Sequence, residues 1–95
     1  MRKIEQEMNR AILLGRNWAS GNTAVVFNQS GSADVYLHGN HIANCCGVAP
    51  RQIHVTVNRN TLSRWPTPTT KSRLRALGVD VYTKNHTLYL HGEAL

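Results

Sequence analysis

The sequence predicts an α+β fold: an N-terminal helix and a second short basic helix (68–77) covering one face of an antiparallel sheet of about five to six short strands, closed by a C-terminal hairpin. Three observations carry this. Near the N-terminus Ile4, Met8, Ala11, Ile12 and Trp18 recur at three- and four-residue spacing. Over residues 52–58 the chain alternates, with Ile53, Val55 and Val57 to one side and Gln52, His54, Thr56 and Asn58 to the other. From Trp65 to Gly78, Trp-Pro-Thr-Pro-Thr-Thr-Lys-Ser-Arg-Leu-Arg-Ala-Leu-Gly holds clear helix start and stop signals.

In chain order, residues 2–18 are expected as one amphipathic helix. Glu5 and Glu7 lie near its start and Arg10 and Arg16 near its end, which complements the helix dipole. Ser20-Gly21-Asn22 breaks the pattern. Thr23–Asn28 is expected as a strand, Gln29–Ser32 as a turn and Asp34–His38 as a second strand. Gly39-Asn40 has the composition of a two-residue hairpin turn, returning as a third strand over His41–Cys45. Gly47–Pro50 is loop, 52–58 the fourth strand, and Asn58–Thr61 the approach to the basic helix. In that helix Thr67 caps, and Pro68 falls at the first position, where its missing N–H costs nothing. Leu74 and Leu77 share a face, and Gly78 stands where helices end in a left-handed residue. Val79–Thr83 and Thr87–His91 pair around a turn at Lys84-Asn85.

One internal echo is visible. Val35-Tyr-Leu-His-Gly-Asn-His-Ile42 aligns on Leu88-Tyr-Leu-His-Gly-Glu-Ala-Leu95. Strand alternation places Tyr36, His38, Tyr89 and His91 on one face, joined by His54 and Tyr82. An open sheet with such residues can stack single-stranded bases. The other readings are cross-strand aromatic pairing, and burial of that face under loops or against a partner, either a homodimer mate or a target protein.

The length of 95 residues suits one domain with a modest core. No apolar run approaches the ~18–20 residues of a membrane span. Glu5, Gln6, Glu7 and Asn9 interrupt any signal-peptide core, so export is not expected. Cys45 and Cys46 are neighbours, too close for an ordinary disulfide, which fits a reducing cytoplasm. The charge is unevenly placed. No acidic residue falls between Asp34 and Asp80, while Arg51, Arg59, Arg64, Lys71, Arg73 and Arg75 do, and elsewhere the charges cancel to leave the net +6. A field of one sign favours anionic partners.

Little points to catalysis or to a cofactor. The acids Glu5, Glu7, Asp34, Asp80 and Glu93 form no recognisable acid/base pair, and no Gly-x-Ser-x-Gly nucleophile motif occurs. His38 and His41, expected to oppose each other across the hairpin turn, are two ligands where a metal needs more.

Asn17-Trp18 with Gly21-Asn22-Thr23, then Val35–Asn40 with Ile42-Ala43, then Trp65–Leu77 together resemble a family of small accessory proteins. These are encoded by short-tailed phages that carry their own single-subunit RNA polymerase. The similarity runs over most of residues 9–95, and Trp-x-Thr-x-Thr-Thr-x-Ser-Arg-Leu is its specific part. Arg75 stands where the family pattern is expected to carry Asn. The resemblance implies a phage protein made in the cytoplasm of an infected bacterium, and it brings no active-site residues with it.

The expectation is thus a non-enzymatic protein that binds nucleic acid. Lys71, Arg73 and Arg75 would contact phosphates, Arg64 and Arg51 extend the patch, Thr70 add a first-turn hydroxyl, and Trp65 stack or anchor the helix. The alternative is an inhibitor that docks the same residues on an acidic surface of a host enzyme or defence protein.

Overall fold

A computed structural model describes residues 2–49 and 52–95. Its elements are α1 (Lys3–Leu14), β1 (Trp18–Ser20), β2 (Thr23–Phe27), β3 (Ala33–Leu37), β4 (Asn40–Ala49), β5 (Gln52–Val57), α2 (Arg59–Arg64), α3 (Pro68–Ala76), β6 (Val81–Lys84), β7 (Thr87–Leu90) and β8 (Glu93–Ala94). Strands β1–β5 form a five-stranded antiparallel sheet whose spatial order is the chain order, and β6–β8 form a separate three-stranded sheet. The fold class is the expected α+β.

α1 is shorter than its apolar spacing suggests. Gly15 takes a left-handed φ of +68°, its N–H donates to Ile12 O and the Arg16 N–H to Ala11 O, which closes the helix. Arg16 therefore lies beyond the helix. Trp18 opens β1 and packs on the core from a strand.

The turns sit one residue earlier or later than their composition suggested. At the β3–β4 turn the central pair is His38-Gly39, not Gly39-Asn40, with φ +53° and +79°, and Leu37 pairs with Asn40. Positive φ at both central residues is the type I′ requirement, which matches the twist of the flanking strands. His38 is thus a turn residue, and the strand partner of His41 is Tyr36, its ring centroid 5.4 Å away in an edge contact. The echo repeats this device: His91-Gly92, with φ +53° and +81°, turns β7 into β8. Asn85-His86 turns β6 into β7 in the same way, rather than Lys84-Asn85. The expected common Tyr/His face does not form, because Tyr36 and His54 lie on the large sheet, Tyr82 and Tyr89 on the small one, and His38 and His91 in turns.

The core lies between the large sheet and the helices. Val25, Ala33, Val35, Leu37, Ala43 and Cys45 from the sheet meet Met8 of α1, Leu62 of α2 and Leu74 of α3, with Val79, Val81 and Leu90 completing it. α2 stands where only an approach was expected. The Asn58 side chain caps it by accepting the Thr61 N–H at 3.1 Å, and it stops at Trp65 because Pro66 follows. α3 starts as expected, with the Thr70 N–H on Thr67 Oγ1 at 3.1 Å. It ends with Gly78 N–H on Arg75 O and Val79 N–H on Leu74 O, the paired bonds of a Schellman motif.

Candidate functional site

The basic helix α3 presents three different sides. On the side facing α1, Arg73 is buried, at 3% exposure, instead of projecting outward as the charge pattern suggested. Its guanidinium NH1 donates to Glu5 Oε2 at 2.8 Å, Nε to Thr23 Oγ1 at 3.0 Å and NH2 to Asn22 Oδ1 at 3.5 Å. Ser72 Oγ donates to the same Glu5 oxygen at 2.6 Å, and the Arg2 N–H to Glu5 Oε1 at 3.3 Å. Burial alone pushes the Glu5 carboxyl up; the Ser72 hydroxyl, Arg73 and the Arg2 N–H outweigh it and hold the group below its ordinary value. This pair ties α1, β2 and α3 together, so Arg73 has no charge left for a ligand.

On the side facing the small sheet are Lys71 and Arg75, four residues apart and so on one helical face. Lys71 is half-buried and donates to Thr83 Oγ1 at 2.8 Å, while Arg75 is exposed and donates to Val81 O at 3.2 Å. Both brace β6 while keeping further donors toward solvent.

The remaining side, at the start of α3, meets the β3–β4 turn. There Leu37, His38, Asn40 and Ile42 on one wall, and Thr61, Trp65, Thr67 and Thr70 on the other, enclose an open cavity of about 230 Å³. Trp65 is 52% exposed. Thr70 is buried, its hydroxyl 2.9 Å from that of Thr67, so it shapes this wall rather than meeting a ligand at the surface. Arg64 is exposed beside Trp65. Of the seven residues singled out by sequence, Arg64 and Trp65 are therefore together, Lys71 and Arg75 form a second group, Thr70 and Arg73 are interior, and Arg51 lies outside the described residues.

A polar network occupies the open face of the large sheet. Asp34 Oδ1 lies 2.9 Å from His41 Nε2 and accepts from Asn44 Nδ2 at 2.9 Å. His41 Nδ1 lies 3.0 Å from Asn58 Nδ2. Because Asn58 Oδ1 already accepts the α2 cap bond, its amide nitrogen must face His41. Nδ1 is then the acceptor, and Nε2 carries the proton toward Asp34. The Asn44 amide, against some opposition from burial and helped by His41 and Asn28, holds Asp34 below its ordinary value. Both nitrogens of His41 are committed, so the ring is a brace. Among the described residues no group of three or more His, Cys, Asp or Glu could hold a metal. Sequence reasoning missed this network; the signal available was Asn58, a good capping residue preceding Arg59–Arg64.

Cys45 is buried, and burial, with a smaller push from Asp34, raises its thiol to about 11, whereas Cys46 beside it is exposed. No helix among the described residues is long and apolar enough to cross a membrane.

An α+β protein with a braced interior and a basic, tryptophan-bearing corner is the class defined by these observations. The chain belongs to a phage family, the Kyanoviridae Gp96 protein, whose family model matches residues 1–95. The expected phage origin is thereby met; short tails and a phage-encoded polymerase are not part of that match. No curated protein and no solved structure matches the chain.

Proposed function

We propose that this protein binds nucleic acid without catalysing a reaction, in the cytoplasm of the infected bacterial host. The observation that carries the reading is the α2–α3 corner, where Arg64 is exposed next to Trp65 and Arg59 is exposed at the start of α2, within a segment free of acidic residues from 35 to 79. Lys71 and Arg75 extend the positive field along α3. Arg73 is not part of it.

Fluorescence anisotropy of labelled DNA and RNA across a salt series tests this. Arg64→Ala and Arg75→Ala should each weaken binding about equally for all sequences, and each should flatten the salt slope by up to about one unit. Unchanged binding by the Arg64→Ala, Lys71→Ala, Arg75→Ala triple variant refutes the reading.

A second reading has its own observation. Leu13 and Leu14 at the end of α1 are 64% and 52% exposed, adjacent apolar side chains that suit a protein partner. In that case the protein is an inhibitor whose basic residues dock on an acidic surface of a host enzyme or defence protein, with Leu13 and Leu14 as a further apolar contact. Pull-down from infected-host lysate after nuclease treatment separates the two, since only the inhibitor retains a stoichiometric host protein.

A further inference from the structure

We propose that the cavity at Trp65 receives one unpaired base of a single-stranded nucleic acid. The inference rests on the nucleic-acid reading above, and adds the form of the polymer and the place of its base. At about 230 Å³ the cavity falls below the roughly 300–1,000 Å³ of sites for drug-sized ligands, and so suits a single flat ring system. Leu37 and Ile42 supply apolar wall, and Trp65 supplies a face on which any base can stack.

The rim is suited to a base edge. Asn40 and His38 stand at the edge of a mostly apolar cavity, and neither side chain has a hydrogen-bond partner among the described residues. An amide offers a donor and an acceptor side by side, the pattern that pairs with base edges. The main chain at Trp65 is also held in advance: its backbone N–H donates to Thr61 O at 2.9 Å, and Pro66 and Pro68 stiffen the chain that follows. Little ordering cost remains to be met on binding.

Charge selects the occupant. Arg64 neighbours Trp65 and Arg59 begins the same short helix, both exposed, so an aromatic group attached to phosphates is favoured over a neutral one. A duplex keeps its bases paired and stacked, and cannot present a face to Trp65 without unpairing. Single strands can.

The test uses the full chain carrying Trp18→Phe, which leaves Trp65 as the sole tryptophan. Labelled oligothymidylate and its duplex with oligoadenylate are titrated, with anisotropy reporting binding and Trp65 emission reporting stacking. Oligothymidylate should quench Trp65, and Trp65→Ala, made in the wild-type chain, should weaken its binding about tenfold or more while leaving duplex binding unchanged. Asn40→Ala, on the opposite wall, should weaken it about threefold, and serves if Trp65→Ala does not fold. Oligothymidylate that binds without quenching, and equally to both variants, overturns the base site and leaves the nucleic-acid reading standing. Failure of both oligonucleotides to bind at low salt overturns the reading and the site together. Quenching by an acidic Phe-containing peptide but not by oligothymidylate overturns the site in favour of a protein occupant.

Discussion

Arg73 and Arg75 stand two positions apart on one helix and occupy different environments. Two residues turn a helix through about 200°, so one guanidinium points into the seam with α1 and the other toward solvent. Arg73 meets a buried carboxylate, one threonine hydroxyl and an amide oxygen; Arg75 meets one backbone carbonyl and solvent. The lesson is that a run of cations in a sequence is not a surface field until each is placed. Here one of the charges is cancelled internally by Glu5 and contributes to architecture alone.

The largest effect that could break this contrast is on stability. Arg73→Ala should cost ~3–5 kcal/mol in urea unfolding, because Glu5 is left buried without its cation. Acid should sharpen the result. The folded-state value of Glu5 is lowered, so its stabilisation is present above the unfolded value and is lost as pH falls through the folded one. In Arg73→Ala burial is opposed by less, the Glu5 value rises, and acidification below the ordinary carboxylate value should penalise the variant less than the wild type. An equally steep acid limb in both proteins would show that Glu5 does not depend on Arg73.

Next comes Trp65→Ala. A half-exposed side chain should cost about 1–2 kcal/mol, under the ~3–5 kcal/mol of a fully buried tryptophan. Asn58→Ala, which removes both the α2 cap and the partner of His41, should cost about 1 kcal/mol by the same measurement. Arg75→Ala should stay within about 0.5 kcal/mol of wild type while altering ligand binding, the reverse of Arg73→Ala. The neighbouring cysteines repeat the contrast on a strand. Iodoacetamide at neutral pH should label Cys46 and spare Cys45 in the folded protein, as mass spectrometry would show.

What could be read in advance was whatever depended on nearby residues. Thr67, Pro68 and Gly78 placed α3 almost to the residue, since caps act within one turn. The alternation over 52–58 placed β5 for the same reason. α2 escaped because Leu62 is the sole aliphatic residue in Arg-Asn-Thr-Leu-Ser-Arg, too few for a helical stripe. At the β3–β4 turn Gly39 was given the first central position, although His38 takes the positive φ there; at the β6–β7 turn Asn85 was given the second central position, although His86 takes positive φ after it. The depth of Arg73 depended on Glu5, which is distant in sequence. A hint existed: Glu5 precedes Met8 by three, on the buried stripe of α1, where an unpaired carboxylate would be costly. No local pattern encodes the division into two sheets.

The spatial order of the large sheet also bears on the route by which the chain folds. Each of its strands pairs with its neighbour in sequence, so the meander can zip from hairpin to hairpin with short loop closures. The Glu5–Arg73 contact joins residues 68 positions apart, and rewards the chain after that long loop has closed. Docking of α1 against α3 is then expected late, on the native side of the barrier. Arg73→Ala should accordingly accelerate unfolding while leaving the refolding rate nearly unchanged, and a chevron plot would separate the two limbs. The buried pair would thus act as a kinetic latch, setting how long the folded molecule lasts more than how fast it forms.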